Sequence, residues 1–231
     1  VHWTIGGIDW VSATLRGLNP HEFIHEPTID GEWVQLGGLN GYTDSYLGAG
    51  GIRLLYTPGR EDIHLNAPGQ WLGMVGGEGQ RRLLDCLVRL HANFTRIDLQ
   101  LTDERLVATP HDVWEALNAG QMVTRVRSWD WMERAGEKVG SSVYVGSKSS
   151  FERLIVYDKT AESNGVTPGI RWELRARDEA AESLAAQLFA SESWGAVWAG
   201  RLVRLVDFRE VTEQTNRSSR RDRSTAWRLS P

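Results

Sequence analysis

The chain has 231 residues, a formal net charge of −4 and a quarter of its residues charged, a composition that suits one generous globular domain or two small ones. A single cysteine, Cys86, excludes an internal disulfide framework, no run reaches membrane-spanning length, and no signal peptide is visible. The net acidity argues against a dedicated nucleic-acid coat, yet eleven tryptophans suit a core, a groove or a platform for unpaired bases.

In chain order, "VHWTIGGIDWVSATLRG" alternates as one or two strands broken at Gly6-Gly7. "GEWVQLGG", "GGIRLLYT" and "EDIHLNA" read as short strands separated by Gly, Pro and Asn turn signals. "GEGQRRLLDCLVRLH" changes to helical period, with Leu83, Leu87 and Leu90 forming a stripe. "TRIDLQLTD" returns to period two. "TPHDVWEALNAG" is a short helix, with Thr109 as cap, Pro110 in the first turn and Gly120 at the exit. "MVTRVRSWDWM", "SSVYVGS", "FERLIVYDK" and "GIRWELRAR" read as four successive strands, and Asp178 to about Val206 as helical.

Runs of strands with few helices between them predict an α+β fold, a central antiparallel β-sheet with a few packed helices. Residues 1–210 are expected to form the main domain, with a division near residue 95 into two related strand–helix halves left open. Residues 211–231 form a basic C-terminal segment, in which "NRSSRRDRSTAWR" holds Arg217, Arg220, Arg221, Arg223 and Arg228 against Asp222 alone. Such a segment suits phosphates or a solvated terminus equally.

"HEFIH", His21 to His25, matches the zinc-peptidase pattern of two histidines one helical turn apart around a general-base glutamate. That chemistry needs a helix. Pro20 and Pro27 bracket the motif and leave about one turn, too short to nucleate alone. It reads as a surface loop.

Period two puts Asp98, Gln100 and Thr102 on one face of their strand and Ile97, Leu99 and Leu101 on the other. An aspartate within a strand is disfavoured and calls for compensation, by an ion pair or by a function. Arg171, Glu173, Arg175 and Arg177 share a face in "GIRWELRAR". Arg153, Ile155, Tyr157 and Lys159 share one in "FERLIVYDK". Tyr157 can be a packing residue. It can also be a nucleophile, if a divalent ion on carboxylates offsets phosphate charge and helps remove the phenol proton. Hard ions such as Mg²⁺ or Mn²⁺ suit oxygen donors.

"FTRIDLQLTD", "VYVGSKSSFERLIVYDKTAE" and "IRWELRAR", in that order and spacing, resemble three signatures of the Rep_trans family. These are rolling-circle replication initiators of plasmids and some phages, with related relaxases of mobile elements. "IDWVSATL", "DIHLNAPGQW" and "VDFREVTEQTNRSSRRDR" extend the resemblance over most of the chain. It implies metal-dependent nicking and joining of one strand at an origin of replication or transfer, through a 5′-phosphotyrosyl intermediate. Tyr157 is then the nucleophile, with Tyr144 as its rival. Asp98 and Glu173 are the metal ligands for Mg²⁺ or Mn²⁺. Lys159 and Arg171 are phosphate or carboxylate contacts.

Arg125, Arg127 and Arg153 are the candidate DNA contacts, the first two on a strand with Trp129 and Trp131. Ile155 stands where the family often has arginine. Thr102 stands where many members have a second acid, which leaves His64 and Asn66 as alternatives for a third ligand. DNA, a host helicase and a second protomer are the partners so implied, in the cytoplasm of a bacterial host and away from membranes. The competing readings are a DNA-binding module of the same fold without the chemistry, and the zinc peptidase.

Overall fold

The computed structural model describes residues 4–29, 31–106, 108–124, 126–134 and 140–209. Arg125 and the basic segment 211–231 lie outside the described residues. In chain order the elements are β1 (Thr4–Arg16), α1 (Pro20–Phe23), β2 (Trp33–Gly37), β3 (Asp44–Gly48), β4 (Arg53–Tyr56), β5 (Asp62–Pro68), α2 (Gly69–Arg89) and β6 (Asn93–Asp103). Then follow α3 (Pro110–Asn118), β7 (Met122–Thr124), β8 (Trp129–Arg134), β9 (Gly140–Val145), β10 (Glu152–Asp158), α4 (Lys159–Glu162), β11 (Ile170–Arg177), α5 (Glu179–Ala190), α6 (Trp194–Leu205) and β12 (Val206–Phe208). The fold is α+β, and the chain divides into two compact units.

The first unit is residues 7–99 with 176–192. Its strands run β2-β3-β4-β5-β1-β6, and the pairs from β2 through β5 to β1 are antiparallel. Alternation makes one face of this sheet apolar. Val11, Ala13, Leu15, Ile63, Leu65 and Ala67 are buried, as are Leu72, Leu83, Leu84 and Leu87 of α2. Both α5 and β5 pack against α2.

The second unit is residues 1–6, 100–175 and 193–231, with strand order β6-β11-β10-β9-β8. Its apolar face carries Val143, Val145, Leu154, Val156, Trp172 and Leu174, all buried. The helix α3 packs against β9 and β10, and α6 packs against β10. Strands β7 and β12 form a separate antiparallel pair.

Several elements depart from the sequence reading. Strand β1 runs unbroken through Gly6-Gly7. Gly7 takes φ +78°, and the Ile8 N–H donates to Gln80 Oε1 of α2 at 2.9 Å, so a side chain supplies the bond and fills the space a Cβ would need. Strand β3 was not anticipated. The α2 helix starts at Gly69, eight residues before the stretch read as helical from sequence, and is kinked at Gly76.

"MVTRVRSWDWM" is two strands in two sheets: β7 pairs with β12, while β8 pairs with β9. Thr124 ends β7, its hydroxyl donating to Leu205 O at 2.5 Å and accepting from the Val126 N–H at 3.0 Å. The long C-terminal helix is two helices. Their break is marked by Arg81, which donates to Ser191 O and Glu192 O, and by Ser193, which caps α6. The α3 helix matches its predicted signals, with a capping box between Thr109 and Asp112 and Pro110 at its first turn.

Candidate active site

Strands β9 and β10 pair antiparallel with Tyr157 opposite Ser142 and Ile155 opposite Tyr144. Their period of two sends Val143, Val145, Leu154 and Val156 to the helices and leaves the other set on the uncovered face. There a cleft of about 210 Å³ is lined by Tyr144, Ile155, Tyr157, Asp158, Glu173 and Arg175, together with Glu162 and residues 140–142. All of these belong to the second unit.

Tyr157 is partly exposed at the end of β10, where the strand turns into α4. Asp158 makes that turn: its carboxylate accepts from the Ala161 N–H at 3.0 Å as the helix cap. The cap corrects the placement of Lys159. It is the first residue of α4 and does not continue the strand face. Its ammonium still lies 5.9 Å from the centre of the Tyr157 ring, and it pairs with Glu162 at 2.5 Å. Gly169, entering β11, accepts from the Lys159 N–H at 3.0 Å and fixes the start of the helix. A side chain at Gly169 would meet Asp103 O at 2.8 Å, and its φ of +120° suits glycine alone.

Glu173 lies mid-strand on β11 and is buried, yet it lines the cleft. Arg175, two residues on, donates to its Oε1 at 2.7 Å. Arg175 is a cleft residue that sequence reasoning did not single out. The signal was its place on the Glu173 face, and it puts a guanidinium in the cleft whereas position 155 holds isoleucine. Arg171 is not among the lining residues; it is buried, with Nε donating to Thr102 Oγ1 at 3.2 Å.

Tyr144, the rival phenol, lines the same cleft. The Arg153 guanidinium covers its ring at 4.3 Å, and its hydroxyl points to Met132 Sδ at 3.9 Å. Arg153 is buried and lies 3.6 Å from Asp130. Arg127 is exposed between β7 and β8. Trp129 and Trp131 pack on α3, with Trp129 Nε1 donating to Asn118 Oδ1 at 3.2 Å and the Trp131 ring against Trp114 and His111. They act as packing residues there.

Asp98 lies on β6 in the first unit and is 1% exposed. Arg96 clamps both of its oxygens, Nε at 2.9 Å and Nη2 on the other. The compensation expected for a strand aspartate is thus a fork-to-fork ion pair. Among the described residues no group of three or more His, Cys, Asp or Glu stands together to hold a metal ion. Glu173, facing the cleft, fits one kind of ion in donor type: Mg²⁺ binds through one or two carboxylates and completes its shell with water and phosphate oxygens. His64 and Asn66 lie on β5 in the first unit, where His64 Nδ1 meets Thr14 Oγ1 at 2.9 Å and Asn66 accepts from Ser12 at 2.6 Å.

The zinc motif does not form a site. Its helix α1 has four residues, and His21 Nδ1 meets the Tyr46 hydroxyl at 2.6 Å. No described helix is long and apolar enough to cross a membrane.

Residues 92–229 match the family described as replication initiation factor. A solved structure, a rolling circle replication initiator protein from Geobacillus stearothermophilus, has the same fold. It superposes with a TM-score of 0.84 over 95% of this chain and 92% of that one, at 19% identity. No curated protein matches the chain.

Proposed function

The chain belongs to the replication initiation factor family, and on that premise we propose that it nicks and rejoins one DNA strand through Tyr157. The observation that carries this is the convergence of a phenol, a carboxylate and a guanidinium, those of Tyr157, Glu173 and Arg175, in one cleft on an uncovered sheet face. The phenol loses its proton, its oxygen bonds to the scissile phosphorus, and the bond from phosphorus to the 3′ oxygen breaks. The 3′ oxygen takes a proton, leaving a free 3′ hydroxyl and a 5′-phosphotyrosyl ester. Attack by a 3′ hydroxyl on that ester reverses the step, because the ester keeps the energy of the broken bond.

In this proposal Lys159, 5.9 Å from the ring centre, and Arg175 meet the phosphate as the strand enters. Glu173 is the cleft donor this reading gives to Mg²⁺ or Mn²⁺, which when bound would offset phosphate charge and ease phenol deprotonation. Arg171 orients the end of β11 through Thr102. Arg125, Arg127 and Arg153 stay as DNA contacts of the proposal, with an origin as the target and a host helicase and a second protomer as partners. The setting is the cytoplasm of a bacterial host. Residues 1–210 form the catalytic part, and 211–231 a basic extension.

The test is incubation with single-stranded origin oligonucleotides and Mg²⁺ or Mn²⁺, followed by a denaturing gel. A covalent protein–DNA band that is lost in Tyr157→Phe and kept in Tyr144→Phe supports the reading. DNA binding without any such band, across metals and origins, supports a binding module that lacks the chemistry.

A further inference from the structure

The face of the first unit's sheet opposite its helix-packed side is polar along β1 and β5, and carries the apolar Leu47 and Leu55 on β3 and β4. On β5 burial alternates strictly: Ile63, Leu65 and Ala67 are buried, while Asp62, His64, Asn66 and Pro68 remain part-exposed. Register places Arg53 opposite Asn66, and Asn66 opposite Ser12. Trp10, Thr14 and Arg16 continue the Ser12 side of β1.

These groups are held in place by one another. Trp10 Nε1 donates to Ser12 Oγ at 2.6 Å, and Ser12 Oγ donates to Asn66 Oδ1 at 2.6 Å. Thr14 joins His64, and Tyr42 stacks on the His64 ring. Arg96 lies over the Trp10 ring at 4.6 Å.

The charges do not cancel. Arg60 and Arg96 are paired with Asp62 and Asp98. Asp62 stands opposite Arg16 in register, but its carboxylate takes Arg60 and the Tyr42 hydroxyl. No carboxylate among the described residues pairs with Arg16 or Arg53, and Arg53 Nε is buried without a hydrogen-bond partner. Strand spacing puts their Cα atoms roughly 16 Å apart, with the tryptophan and the polar rungs on the same face.

We infer that this face, Arg53, Asn66, Ser12 and Trp10 with Arg16 at its end, is a second binding site for single-stranded DNA. Unpaired cations suit phosphates, and an aromatic beside an arginine on a sheet face suits unstacked bases. Duplex would instead call for a helix or ribbon entering its groove. Most of the face lies before residue 92, outside the family match. The inference rests on reading the chain as a DNA-acting initiator.

The test uses the full chain with a dye-labelled oligothymidine of about 16 nucleotides, in chelator, with anisotropy read across a salt series. The double variant Arg16→Gln/Arg53→Gln should bind about tenfold more weakly and lower the salt slope by about 1.4, two phosphate contacts' worth for a single strand. Arg53→Lys should keep the slope, and Trp10→Leu should weaken binding without changing it. Unchanged affinity and slope in the double variant, with melting as in the parent, overturns the inference. Equal loss on duplex and single strand also overturns it, because the face then has no preference for unpaired bases. Parent protein that binds with the Arg16- and Arg53-dependent slope but forms no covalent adduct leaves this site standing and sinks the nicking reading.

Discussion

Tyr42 and Tyr157 each sit among charged side chains, one in each unit, and their surroundings differ. The Tyr42 hydroxyl donates to Asp62 at 2.9 Å, its ring stacks on His64, and Arg60 lies over it at 4.6 Å. Burial first, then the hydrogen bond to Asp62, holds its pKa above the usual phenol value. Such a phenol keeps its proton and braces a loop. Tyr157 borders a cleft instead, with the Lys159 ammonium, paired to Glu162, 5.9 Å from the centre of its ring. A tyrosine among charges is therefore uninformative by itself. Both rings have a cation beside them; the cleft at Tyr157, with room for a phosphate, is what separates it from the brace at Tyr42.

The largest expected effect on this contrast comes from Tyr157→Phe, which should cut adduct formation by ~10³-fold or more, while Tyr42→Phe leaves its rate unchanged and lowers melting. If Tyr42→Phe abolished the adduct in a protein that melts normally, the contrast would be void. Glu173→Gln should slow nicking by about 100-fold, with part of the loss recovered at raised Mn²⁺. It also removes the carboxylate charge facing Arg175, so a fall in stability of about 3 kcal/mol should accompany it, read by urea unfolding.

Arg175→Lys keeps the charge but not the fork. A drop of about tenfold in rate with little change in stability would place Arg175 on the phosphate. A loss of stability with no change in rate would make it only the partner of Glu173. The smallest effect belongs to Thr109→Ala. It removes the cap of α3, which packs against β9 and β10, and should cost about 1 kcal/mol without altering adduct kinetics.

The same cap carries a pH signature. Its hydrogen bonds with Thr109 hold the Asp112 carboxyl below the usual carboxylate value. That contribution is complete above the unfolded carboxylate range and is lost as pH falls through the depressed value. Acid melting curves should therefore converge between the parent and Asp112→Asn as the pH drops. Separate curves at the lowest pH would refute the assignment.

The α+β class, the antiparallel pairing and the capped α3 were legible because each depends on local pattern: period two, period 3.6, Thr and Pro at a helix start. The early turns of α2 escaped because Gly73, Gly76, Gly77 and Gly79 mask a helix in which Trp71 and Leu72 are buried and Gln80 accepts from the Ile8 N–H of β1. Strand β3 escaped because its support is tertiary: Tyr46 stacks on Tyr56 and meets His21. The break in "MVTRVRSWDWM" depends on β12, more than 80 residues away.

At the site, period two correctly grouped Ile155 with Tyr157 and Glu173 with Arg175. It misplaced Lys159, because the Asp158 cap turns the chain there into a helix. It also could not tell which strand residues are buried on both sides. Asp98, Arg171 and Glu173 look from sequence like members of a half-exposed polar face, yet all three are buried.

The most direct measurement is mass spectrometry of a tryptic digest of the covalent adduct. Cleavage after Arg153 and Lys159 isolates Tyr157 in the peptide 154–159, and cleavage after Lys138 and Lys148 isolates Tyr144 in 139–148. A phosphonucleotide mass on 154–159, absent from 139–148, is the outcome expected if Tyr157 is the nucleophile. The same mass on 139–148, or on any peptide lacking Tyr157, contradicts it.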